Sequence, residues 1–86
     1  MTRATDLIAA ERQRQIDSEG YDAEHDRGAS RNLALAAAAY ALNAAGEHEL
    51  ADEIWPWSRQ AHKPVSPDRD LVRAGALIAA AIEAPR

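Results

Sequence analysis

An all-α domain is the fold class this sequence predicts, and three observations predict it. The stretch from Ala4 to Glu19 has no proline or glycine and stops at Gly20. The stretch from Arg31 to Ala45 is apolar on nearly every side and stops at Gly46. Leu71, Gly75, Ile78 and Ile82 then recur at the i, i+4, i+7 and i+11 spacing of one helical face. The expectation is a compact three-helix domain spanning residues 1–86, with a long loop carrying tryptophan and proline before the last helix, and assembling as a homo-oligomer.

Helix one is rich in Ala, Gln, Glu and Arg, which are good helix formers, and Gly20 suits the left-handed position that ends it. One side of it is mostly polar, with Ile8, Arg12, Gln15 and Glu19 in line and Leu7 and Ile16 as flanking apolar anchors. Residues 21–29 read YDAEHDRGA, which is charged, aperiodic and loop-like. Ser30 is placed to cap helix two, whose Leu33, Leu35, Tyr40 and Leu42 stand among alanines. A helix apolar all round is buried on several sides, so helix two belongs in the centre. From Glu47 to Val65 the chain can begin with a helical turn, but Pro56 and Pro64 forbid one continuous helix. Ser66 and Pro67 restart the chain as helix three, with Asp68 and Asp70 near the positive end of its dipole. Ala74, Leu77 and Ala81 lie beside its bulky stripe, and it ends before Pro85.

Composition narrows the function classes. An 86-residue chain buries only a modest core, which is why oligomerisation is expected. With no cysteine there are no disulfides, thiolate metal sites or cysteine nucleophile. Asp6, Glu11 and Arg12 interrupt the first apolar run, so no signal-peptide core is read, and no stretch reaches the ~20 apolar residues of a membrane span. A cytoplasmic location follows as the expectation. The net charge of -4 argues against general affinity for the nucleic-acid backbone.

Candidate chemistry is sparse. Glu24, His25 and Asp26, with His48, Glu49 and Asp52, have metal-ligating side chains, but adjacent residues do not readily converge on one ion and no HExxH pair is present. No metal, cofactor or catalytic residue is therefore assigned. No serine sits in a GxSxG elbow. Trp55, Pro56 and Trp57, followed by His62, Lys63 and Pro64, are the most informative feature. They read either as a hydrophobic plug on an alanine-rich bundle that lacks phenylalanine, or as a stacking platform. On the second reading an indole takes a planar ring while Lys63, Arg69 or Arg73 meets its phosphates. Arg12, Gln15 and Arg73 can face one cleft, with Asp70 or Glu11 as ion-pair partners.

The run AAERQRQIDSEGYDAEHD, then WPW, then KPVSPDRDLVRAGALIAAAIE, resembles a group of small phage and prophage proteins whose pattern runs ERxRQ, EGW, EHD, WPW, WKP, RRDLVKAGALI. The match covers most of the chain. It departs at Tyr21 and His62, where that group has tryptophan, and at Arg73, where it often has lysine. The resemblance implies a phage-encoded accessory protein working in the host cytoplasm. Fitted to an aromatic platform with nearby cations, it implies a counter-defence protein that sequesters a nucleotide-derived immune signal, an ADP-ribose derivative or cyclic nucleotide, without catalysis. Its ligand contacts are then Trp57, Lys63, Arg69 and Arg73, with Arg12, Gln15, His25 and Asp26 as a polar wall. Two alternatives stand beside it. One is a magnesium-dependent pyrophosphohydrolase similar to the all-helical MazG type, using Glu49, Asp52 and either Glu24 or Asp26, although the ExxE of that family is missing. The other is a protein-binding inhibitor of a host factor.

Overall fold

The computed structural model describes residues 3–19 and 29–84. Among them every regular element is helical: α1 (Arg3–Glu19), α2 (Ser30–Ala44), α3 (His48–Ile54), a 3-10 turn (Arg59–Ala61) and α4 (Pro67–Glu83). The bundle thus has four helices where three were expected. The helical turn read after Glu47 closes into α3, because HELADEI lacks a breaker until Pro56 turns the chain away. None of the described helices is long and apolar enough to cross a membrane.

Packing runs in the order α1, α4, α2, α3, each helix touching the next. α2 and α4 therefore share the centre that was assigned to α2 alone. Their seam is built from Leu33, Ala36, Ala37 and Tyr40 against Ala74, Leu77, Ala80, Ala81 and Ala84, with Ala29 and Trp55 packed on its margin. Alanine contributes little area but lets two backbones approach closely, so that Leu33, Tyr40 and Leu77 fill what space remains.

The helix ends follow local chemistry, with one correction. Gly46 takes φ +86° after α2, Glu47 N–H donates to Leu42 O at 2.9 Å, and Gly46 N–H donates to Asn43 O at 3.0 Å, the Schellman pattern. Ser66 caps α4 by accepting from Arg69 N–H at 3.3 Å. Ser30 is not a cap. It is the first residue of α2 and its hydroxyl donates to Ala81 O at 3.1 Å, tying α2 to the last turn of α4.

α4 also turns differently from the expected stripe. Asp70, Ala74, Leu77, Ala80 and Ala81 face inward, whereas Leu71, Ile78 and Ile82 are 52, 51 and 70 % exposed. Gly75 lies between these faces, against Ile8 of α1. On α1 the expected polar side is the buried one: Glu11, Arg12 and Gln15 are buried while the anchor Leu7 is exposed.

Candidate functional site

A cavity of about 280 Å³ opens where α1, α2, α4 and the tryptophan segment meet. α1 supplies Glu11, Arg14 and Gln15, and the central pair supplies Tyr40, Arg73 and Leu77. The connecting segment closes it with Trp55, Trp57, Ala61 and Lys63.

The aromatic wall is rigid for identifiable reasons. Trp55 stacks on His62 with ring centroids 4.4 Å apart and planes 11° from parallel. Tyr40 and Trp57 each meet Trp55 edge-on, at 5.5 and 5.4 Å. Trp55 Nε1–H donates to Ser58 O at 2.9 Å, which fixes the turn after Pro56. His62 is itself held at both nitrogens, by Asp52 at 3.0 Å from Nδ1 and by Asn43 at 2.7 Å from Nε2. His48 Nδ1 lies 2.7 Å from Asn43 Oδ1, so α3 and the end of α2 brace the ring stack through a buried asparagine. A proton on Nδ1 of each histidine satisfies every contact: His48 donates to Asn43, Asn43 to His62, and His62 to Asp52. A second hollow of about 200 Å³ also meets both indoles and is lined besides by Asp52, Arg59 and His62. Trp57, 38 % exposed, stands at the rim of both.

The cationic wall is positioned by Tyr40. The buried tyrosine hydroxyl accepts from the backbone N–H of Lys63 at 3.1 Å, and the Arg73 guanidinium lies 5.5 Å above the tyrosine ring. Arg73 Nη1 donates to Lys63 O at 2.5 Å. This contact ties the segment before α4 to α4 and brings two cationic residues to one mouth. Lys63 is itself an exposed residue.

The third wall is polar. Glu11, buried, takes a two-pronged contact from Arg14 at 3.0 and 2.8 Å and a further bond from Arg69. Burial works against its charge, but the hydrogen bonds and positive charges of Arg14 and Arg69 outweigh that and hold its carboxyl below the ordinary value. It is the one carboxylate lining the cavity among the described residues, and it is ionised at neutral pH. Gln15 is buried beside it, with Oε1 lacking any hydrogen-bond partner.

Four of the eight residues expected at a ligand site, Gln15, Trp57, Lys63 and Arg73, come together here. Arg12 does not: its Nε pairs with Glu83 at 3.0 Å, away from the cavity lining. Arg69 stands behind Glu11 and braces it from a groove on the far side of α1 and α4. Its sequence neighbourhood, at the start of α4, gave no sign of this. His25 and Asp26 lie outside the described residues, as does Glu24. Arg14 and Tyr40 were missed as lining, while Glu11 was expected at the cleft only as an ion-pair partner and Trp55 only as part of the aromatic feature. Glu11, Arg14 and Gln15 share one face at i, i+3 and i+4, a signal that was present in the sequence. For the magnesium alternative, Asp52 is engaged by His62, and no three metal-ligating side chains converge among the described residues.

What this arrangement offers is recognition: aromatic faces for a planar ring, Lys63, Arg14 and Arg73 for an anion, and a buried amide for a polar edge. Comparison with protein-family models, with curated proteins and with solved structures yields no match to this chain.

Proposed function

We propose that the protein binds a nucleotide-like molecule in the cavity between Trp57, Lys63, Arg73 and Gln15 and retains it unchanged. On this reading it acts as a phage-encoded counter-defence protein that sequesters a nucleotide-derived signal in the host cytoplasm. One observation carries the binding reading. An aromatic wall, a cationic mouth and a buried polar group, contributed by residues as distant as 15 and 73, line one cavity. A structural plug would account for the indoles but not for cations drawn beside them. The exposed Leu71, Ile78 and Ile82 support the homo-oligomer that forms part of the proposal.

Native mass spectrometry with nucleotides, cyclic dinucleotides and ADP-ribose derivatives tests it, read for bound mass, turnover and subunit number. The expected result is an intact ligand held at a fixed ratio per oligomer, lost in Trp57→Ala while the helical circular-dichroism signal is kept. Magnesium-dependent release of pyrophosphate would overturn it in favour of an enzyme. Silence across the panel would shift the function to a protein partner.

A further inference from the structure

α4 is held between two neighbours and leaves a third side open. Ala74, Leu77 and Ala81 belong to the core shared with α2, and Arg69 and Glu83 pair with α1. Between these sides the exposed Leu71, Ile78 and Ile82 form one row along the helix, roughly 16 Å from end to end. The two ends of the row differ. Beside Leu71, between the first turns of α1 and α4, lies a groove of about 650 Å³ with apolar walls from Leu7, Ile8, Leu71 and Val72. At the other end stands Ile82, the most exposed of the row at 70 %.

Resting on the homo-oligomer of the reading above, we propose that this face binds a second copy of the chain, α4 against α4 in antiparallel, with Ile82 of each copy seated in the groove of the other. A groove at one end of a row and a protruding side chain at the other make a surface complementary to its own copy turned end for end. With a two-fold axis between residues 76 and 77, Leu71 meets the partner's Ile82 and Gly75 meets the partner's Ile78, so each contact is made twice. A parallel pair sets groove on groove and isoleucine on isoleucine. Charge agrees with the antiparallel register. Glu83 follows Ile82 with its side chain 54 % exposed, and the groove that receives it carries Arg3 and Arg69 against a single carboxylate, Asp68. Size sets the strength. A strip as long as the 17-residue α4 and two helices wide covers roughly 500 Å², below the ~800 Å² per partner of a standard interface, so the pair forms at micromolar concentration.

Analytical ultracentrifugation from about 5 to 500 µM tests the pairing. The wild type should pass from its 9.3 kDa monomer to a dimer within that range. Ile82→Glu and Leu71→Lys should each raise the dissociation constant at least about tenfold. Leu50→Glu, at an exposed leucine of α3 outside this face, should leave it within about twofold. All three positions are exposed, and an unchanged circular-dichroism signal confirms that the variants fold. Mixing Ile82→Glu with Leu71→Lys should restore a heterodimer: the antiparallel register sets the introduced lysine against the introduced glutamate at one contact and leaves the other native. A dimer indifferent to both single substitutions would overturn the face, and a mixture that fails to pair would overturn the antiparallel register. A wild type that stays monomeric throughout would overturn both this pairing and the homo-oligomer above, while nucleotide binding in the cavity keeps its own test by mass spectrometry.

Discussion

α4 packs against α2 through alanine, leucine and tyrosine, and against α1 through arginine–glutamate pairs and the Ile8–Gly75 contact. The first seam is apolar and close, and its worth scales with area removed from water. In the second, the buried residues among the described side chains of α1 are polar: Glu11, Arg12 and Gln15. Pairing such groups mostly offsets the cost of desolvating them and adds little net stability. The fold therefore rests on α2 and α4, while α1 is an attached wall. The cavity opens beside this polar seam, with Glu11, Arg14 and Gln15 of α1 in its lining.

The strongest way to break this contrast is to truncate one residue from each seam. Leu33 is 2 % exposed in the α2–α4 core, and Leu33→Ala should cost about 2 to 5 kcal/mol in urea unfolding. Glu11→Gln keeps the shape but removes the charge between Arg14 and Arg69, and should cost less, about 1 to 3 kcal/mol. Equal costs would mean that α1 is as integral as α2.

Proton dependence sharpens the same contrast. The Glu11 carboxyl is held below its ordinary value near 4.5, so its ionised form is favoured by folding. That contribution is complete above the ordinary value and is lost as pH falls through 4.5 toward the lower folded value. Unfolding curves of wild type and Glu11→Gln should thus lie apart at neutral pH and converge in acid, while the gap opened by Leu33→Ala stays constant. A wild-type to Glu11→Gln gap unchanged between neutral pH and pH 3 would show that the charge of Glu11 does not hold the seam.

Much of the apolar half was legible in the sequence. Helix ends came from Gly46 and from Ser66 with Pro67, whose effects are local, and α2 read as buried because alanine and leucine surround it. The facing of α4 was not legible. Leu71, Gly75, Ile78 and Ile82 were read as one stripe, but close approach to an alanine-rich α2 selects the small side next to it, with Ala74, Ala80 and Ala81. The polar half was read in part. Trp57, Lys63 and Arg73, singled out by residue type, do line one cavity. Arg12 and Arg69 were misplaced because ion pairing across 71 and 58 residues, to Glu83 and Glu11, depends on packing that no local pattern encodes. Ser30 failed as a cap for the same reason: its partner is Ala81, 51 residues away.

The finest probe of the polar seam is its small apolar contact. Alanine in a helix interior is favoured over glycine by about 0.8 to 1 kcal/mol, so Gly75→Ala alone would stabilise α4. A methyl at that position, however, would stand 2.7 Å from Ile8 Cδ1 and 2.9 Å from Ile8 Cγ1, and Ile8 must move. Overpacking of this kind costs about 1 to 3 kcal/mol, which outweighs the helical gain and makes the net change destabilising by about 1 kcal/mol. In an Ile8→Ala background the obstruction is gone and the same substitution should become stabilising by about as much. Thermal unfolding of the four proteins in this cycle reads the reversal directly. A Gly75→Ala protein that gains stability with Ile8 intact would show that the Ile8 side chain turns aside at little cost and that this contact does not hold α1 against α4.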